Sequence, residues 1–115
     1  MKVCVTGGRT YGNKTVVYSI LNEYKDKIDL IGVGDASGAD MLVRNWCRDN
    51  NVKFRTFVAD WKQFGDSAGP IRNKTMIDSI KPDILFVFPG GAGTTNTREY
   101  TEEKYPNTEI IVVND

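Results

Sequence analysis

A chain of 115 residues is long enough to bury one core without disulfide or metal staples, so a single domain over 1–115 is expected. Its 40% hydrophobic and 26% charged residues are those of an ordinary globular protein, and no apolar run approaches the roughly 18 residues of a membrane span. Fifteen basic residues balance fifteen acidic ones, which leaves no overall field to draw the protein onto nucleic acid or an anionic membrane; any polyanion site must be local.

Met1 leads directly into the strand-like Val3-Cys4-Val5, with no signal-peptide pattern, so a cytoplasmic protein with reduced cysteines is expected. Cys4 and Cys47 form no CxxC pair and there is no histidine, which speaks against a zinc site and for two small buried apolar residues. Neither a metal nor a cofactor is expected.

Short apolar runs rich in β-branched residues at Val3–Val5, Ile28–Val33, Val52–Val58, Ile84–Phe88 and Ile110–Val113 predict five strands. Helical spacing lies between them: Val16, Val17, Ile20, Leu21 and Tyr24, then Leu42, Val43, Trp46 and Cys47, then Met76, Ile77 and Ile80. A fourth helix, from about Thr95 to Lys104, is polar and follows mainly from its place between two strands. Ala59–Pro70 is the longest segment expected to be irregular. Alternating strands and helices imply right-handed crossovers and a Rossmann-like, doubly wound α/β sandwich with a mostly parallel sheet.

In such a sheet ligands bind beyond the carboxyl ends of the strands. The loops expected there are Thr6–Gly12, Gly34–Asp40, Ala59–Trp61 and Pro89–Thr94, three of them rich in glycine. Glycines after a strand bring backbone N–H groups close to a ligand, and the helix that follows adds partial positive charge, so that together they make an anion site. Pro89-Gly90-Gly91-Ala92-Gly93-Thr94 is the strongest instance, with Thr94 and Thr95 able to cap the helix or bond a phosphate; residue types alone serve a tight capped turn equally well. Neither G-x-G-x-x-G nor a P-loop is present, which argues against dinucleotide oxidoreduction and ATP hydrolysis. Arg9 and Arg72 are the arginines best placed for a phosphate or carboxylate. Trp61 and Tyr11 could stack on a base, or simply pack.

These segments together resemble the SLOG superfamily, most closely its small YspA-type branch. The resemblance runs from Val3 to the last strand and is carried by Ala59-Asp60-Trp61, Gly65, Ala68-Gly69-Pro70-Ile71-Arg72-Asn73, Met76, Pro82-Asp83 and Phe88–Thr94, with Gly8-Arg9-Thr10-Tyr11 and Gly38-Ala39-Asp40 in support. It implies a homo-oligomeric module that binds a nucleotide, nucleoside phosphate or ADP-ribose-like molecule as sensor, carrier or sequestering protein. The ligand-binding residues so implied are Gly7, Gly8, Arg9, Tyr11, Gly34, Ser37, Gly38, Asp60, Trp61, Arg72, Asn73, Pro89, Gly90, Gly91, Gly93, Thr94 and Thr95. The alternative is an enzyme similar to the LOG, or lonely guy, phosphoribohydrolases, which release the base from a nucleoside monophosphate, with Arg72 as its catalytic residue. Arg72 and Met76 match the LOG Arg-Lys-x-x-Met motif, with Asn73 in place of lysine; Pro89, Gly90, Gly91, Gly93 and Thr94 match Pro-Gly-Gly-x-Gly-Thr-x-x-Glu, but Thr97 stands where that motif has glutamate. A threonine cannot supply the carboxylate that an oxocarbenium-like transition state needs. Single-stranded DNA binding, as in the DNA-processing protein A branch, is the weakest reading for a chain without basic clusters. Asp35, where this branch tends to have glycine, is expected to cap the next helix or bond a ribose hydroxyl.

Overall fold

The computed structural model describes all residues, Met1–Asp115. Five strands, β1 (Lys2–Thr6), β2 (Leu30–Gly34), β3 (Phe54–Phe57), β4 (Ile84–Val87) and β5 (Glu109–Val112), alternate with five α-helices, α1 (Lys14–Tyr24), α2 (Ala39–Asp49), α3 (Trp61–Phe64), α4 (Ala68–Ile80) and α5 (Ala92–Lys104). The strands form one sheet in the order β3-β2-β1-β4-β5, and every pairing is parallel. This is the Rossmann-like α/β sandwich that the alternation predicts. Because the chain winds outward from β1 to β3 and then crosses to β4 and β5, the direction reverses between β1 and β4, the topological switch point where such sheets open a crevice.

The two faces of the sheet follow the period-two alternation of its strands. Val3, Val5, Ile31, Val33, Ile84 and Phe86 pack against Val17 and Leu21 of α1 and Val43, Trp46 and Cys47 of α2. Cys4, Leu85 and Val87 point the other way, onto Met76, Ile77 and Ile80 of α4. Trp46 is fully buried, and its indole Nε1 donates to Asn22 Oδ1 at 2.8 Å, so its one polar atom is satisfied. Both cysteines are buried and unpaired, as expected, and burial drives both thiols upward, Cys47 to about 12.

Two expectations are corrected. Ala59–Pro70 is mostly helical: Asp60 accepts from Gln63 N and caps α3, a 3-10 turn follows at Gly65–Ser67, and α4 already begins at Ala68. Pro70 in the first turn of α4 breaks no helical bond, since the N–H it lacks would have no partner there. The polar helix starts at Ala92, earlier than its side chains suggest, and buries threonines in place of aliphatics. Thr97 and Thr101 donate their hydroxyls back to Gly93 O and Thr97 O, which lets their methyl groups turn inward without stranding a buried donor. Asp78 of α4 then accepts from the hydroxyls of Tyr100 and Tyr105 and from Lys104, tying α5 to its neighbour.

Candidate functional site

At the carboxyl edge of the sheet the loops surround a cleft of about 930 Å³. Its lining includes Gly7, Gly8, Arg9 and Tyr11 from the loop after β1, Trp61, Arg72 and Asn73 from α3 and α4, and Pro89, Gly90, Gly91, Gly93 and Thr94 from the start of α5. These twelve of the seventeen residues expected from the sequence thus share one space. Gly34, Ser37, Gly38, Asp60 and Thr95 lie outside that lining. Asp60 caps α3, and the exposed Thr95 donates its hydroxyl to Gly91 O at 3.3 Å. Ser37 donates to Arg9 O at 2.9 Å, while Gly38, at a φ of +70°, lets Ala39 N reach Gly8 O at 3.1 Å. The loop after β2 therefore supports the loop after β1.

The glycines fall into two groups. A Cβ on Gly7 would sit 2.6 Å from that of Ala39, and one on Gly8 would meet Pro89 O at 3.0 Å; these positions are glycine because neighbouring segments leave no room for a side chain. On Gly91 and Gly93 an added Cβ meets nothing within 4 Å, and Gly91 has an ordinary φ of −101°. Nothing in the packing of the fold asks for glycine at either. Helix α5 also begins without a side-chain cap, Gly91 being its N-cap. Its first N–H groups thus open onto the cleft, with the positive end of the helix dipole behind them.

Arg72 is buried, and so is Asp40 in the first turn of α2. Both meet at Gly34, the last residue of β2, where a Cβ would lie 2.5 Å from Asp40 Oδ2 and 2.9 Å from Arg72 Nη1. Arg72 Nη1 donates to Asp35 Oδ1 at 2.5 Å and Arg72 Nε to Asn73 Oδ1 at 2.8 Å. Asp35 Oδ1 also accepts from Ala59 N at 3.3 Å. This corrects the expectation for Asp35: it caps no helix, because a buried guanidinium is a stronger partner than an orphan N–H of α2. Desolvation pushes the Asp40 carboxyl up to about 6, against the pull of Arg72, of the Ala36 N–H and of Arg44. Ala36 N donates to Asp40 Oδ2 at a long 3.4 Å, and Oδ1 takes no bond from the chain, yet no fully buried side-chain polar atom is left without a partner. That oxygen therefore keeps contact with solvent in the cleft, which Asp40 lines.

The aromatic residues differ in state. Tyr11 is stacked on Phe88 at a centroid distance of 5.9 Å, and its hydroxyl donates to Asp115, so its ring is a packing element of the cleft wall. Trp61 is 43% exposed and carries the Arg9 guanidinium 4.7 Å above its ring centroid, leaving a planar surface at the rim.

The model of the YspA, cpYpsA-related SLOG family matches residues 1–64, more than half of the chain. The chain belongs to that family. This SLOG domain is also 31% identical over 98 residues, 78% of each chain, to the Gene 61 protein of Mycobacterium phage D29. No solved structure matches it. The matched segment reaches from β1 through α3, and Arg72 and the Gly90–Thr94 turn lie beyond it. No helix of the SLOG domain is long and apolar enough to cross a membrane.

Asp40 is the residue that sequence reasoning passed over. Acidic residues in the first turn of a helix usually face water, where the dipole favours them. Only the bare Gly34 and the approach of Arg72 from a distant helix turn this one inward. Thr97, at the position of the LOG glutamate, is 3% exposed, holds Gly93 O at 2.9 Å and is not part of the cleft lining.

Proposed function

We propose that this SLOG domain is a binding module for a nucleotide, nucleoside phosphate or ADP-ribose-like ligand, and that it acts as a sensor, carrier or sequestering protein. The phosphate rests on the backbone N–H groups of Gly90–Thr94. The observation that supports this most directly is the N-terminus of α5, which lacks a side-chain cap and carries two glycines, Gly91 and Gly93, that no neighbouring atom requires. Gly91 is the N-cap, a position that glycine suits, but Gly93 lies inside α5, where glycine costs about 1 kcal/mol relative to alanine; close approach of a phosphate to the backbone offsets that cost. Arg72 adds a charged donor: Nε and Nη1 are engaged by Asn73 and Asp35, which leaves Nη2 for the ligand. Trp61 offers its exposed face to the base. With Thr97 neutral and directed into the helix packing, glycosidic cleavage is the less supported alternative.

The test is titration calorimetry with AMP and ADP-ribose on the wild-type domain and on Gly91→Val, together with chromatography of the incubated nucleotides. Binding without release of base is expected from the wild type. The variant should lose it while staying folded, since a side chain at 91 meets open space; valine is a poorer N-cap than glycine, so a melting temperature lower by about 5 °C is expected and no more. Unchanged affinity in folded Gly91→Val would remove the phosphate from α5, and steady release of free base would replace the binding module by an enzyme.

A further inference from the structure

We propose that the Asp40 carboxylate is a ribose-hydroxyl acceptor, so that the domain selects ribonucleotides with a free vicinal diol over their deoxy counterparts. This rests on the nucleotide reading above and assigns the opposite end of the ligand. The two ends of the cleft have opposite chemistry. At the end of β4 the uncapped helix presents N–H donors to an anion. At the end of β2 a carboxylate that is only 7% exposed keeps one oxygen, Oδ1, free of any bond from the chain while lining the cleft.

A carboxylate oxygen that the chain leaves unbonded and only solvent in the cleft reaches is an acceptor open to a donor that enters with a ligand. It repels a phosphate, and it accepts from a neutral donor such as a hydroxyl. Distance selects the donor. β2 and β4 are separated by β1 alone, two strand spacings or about 10 Å, which is the span of a nucleoside 5′-phosphate from phosphate to ribose hydroxyls with a hydrogen bond at each end. The ground between is the glycine backbone of Gly7 and Gly8, over which a sugar can lie flat. Arg72 and Arg44 from one side and Asp35 from the other set the charge around Asp40, and with Arg72 already held by Asp35, Asp40 is not consumed in an ion pair.

The probes are AMP, 2′-deoxy-AMP, 3′-deoxy-AMP and ribose 5-phosphate, titrated into the wild type and into Asp40→Asn. Removing a hydrogen bond to a charged group should weaken binding of at least one deoxy probe roughly 10- to 100-fold relative to AMP. Asp40→Asn should erase most of that difference and retain binding of the phosphate, as ribose 5-phosphate reports. In the wild type the preference for AMP should also shrink as pH falls through about 6, where the carboxylate gains its proton; the phosphate titration is common to the ribo and deoxy probes and cancels from the ratio. Equal affinity for AMP and both deoxy probes overturns the ribose assignment while leaving the phosphate site standing. If Asp40→Asn weakens AMP and the deoxy probes alike, the carboxylate holds the base instead, and the assignment is likewise overturned. Failure of every probe to bind removes the nucleotide reading itself, and this assignment with it.

Discussion

Gly7 and Gly8 of the loop after β1 and Gly91 and Gly93 at the start of α5 lie side by side along the same cleft, and they are glycine for different reasons. Gly7 and Gly8, with Gly38 behind them, are places where chain segments pack too closely for a side chain: one there would run into the Cβ atoms of Ala39 and Phe88 at Gly7, or into the backbone of Pro89 at Gly8 and of Gly8 and Arg9 at Gly38. Gly91 and Gly93 touch nothing. The first group shapes the cleft and the second leaves room in it, so the two should separate stability from binding when mutated. A motif of glycines read from sequence cannot make that distinction, because both kinds spell the same letter.

The largest expected effect belongs to the shaping group. In Gly38→Ala a Cβ at a φ of +70° would stand 2.2 Å from Gly8 O, combining a left-handed backbone with a collision against backbone that cannot yield. A loss of about 4 kcal/mol is expected, which in a domain of this size lowers the melting temperature by roughly 15 °C or more. Near-wild-type melting would mean that the loop after β2 is not the rigid support described above, and the contrast with Gly91 would lose its basis.

Arg72 connects the two roles. Its removal leaves Asp35 and the buried Asp40 facing each other without their shared counter-charge, and breaking a buried pair this way costs about 3 kcal/mol, at the low end of the usual range because Asp35 retains 31% of its side-chain exposure. Binding of AMP should weaken by a further 1.5–3 kcal/mol or so, the scale of a charged hydrogen bond. Arg72→Ala that melts normally and binds normally would make the residue a bystander of both fold and site.

Asp40 should make stability depend on pH in the direction opposite to an ion-paired acid. Its carboxyl titrates near 6 in the folded chain and near 3.9 when unfolded, so between these values the native state holds the extra proton. Stability is fully present below about pH 4 and falls as pH rises through 6, by roughly 2–3 kcal/mol for this group alone. Chemical denaturation at a series of pH values should show that decline in the wild type, and Asp40→Asn should remove it and be the more stable protein at neutral pH. An Asp40→Asn variant less stable at pH 7.5, with an unchanged pH profile, would show that the charged form is well compensated by Arg72 and Arg44.

The parts of this site that depend on local sequence were legible in advance. Strand periodicity placed the loops, parallel order put them on one edge, and the glycine turn before Thr94 marked the helix whose N-terminus opens there. What stayed hidden depends on contacts between distant segments. Arg72 reads as a ligand arginine, and only when α4 lays it across Gly34 does it become plain that Nε and Nη1 are taken by Asn73 and Asp35; Asp35 reads as a cap until that guanidinium takes it. Asp40 looks like an ordinary first-turn acid until the same two partners bury it. Ala59–Pro70 looks irregular because Gly65, Gly69 and Pro70 are poor helix formers, whereas the Asp60 cap and the placement of Pro70 in a first turn make the segment helical. Ser37 and Gly38 carry the composition of a phosphate loop, and composition does not disclose that they also hold the loop after β1 in position.

The smallest expected effect tests the open group from its other side. Thr95 stands next to the phosphate cradle and has the residue type that commonly bonds phosphate oxygens, but its exposed hydroxyl is turned back on Gly91 O, where it bends over the first turn of α5 without entering the cleft. If the anion is held by backbone N–H groups, as the bare positions 91 and 93 suggest, then Thr95→Ala removes only a back-bond that contributes little to a helix. Affinity for AMP should stay within about 0.5 kcal/mol of wild type and stability should shift by no more than that. Thr94→Ala is the matched comparison, since Thr94 Oγ1 lies where a Cβ on Gly90 would be, at 2.2 Å, and its side chain lines the cleft. A loss of affinity in Thr95→Ala equal to that in Thr94→Ala would mean that the hydroxyl swings onto the ligand when it binds, and that the cradle is built from side chains as much as from the glycine backbone.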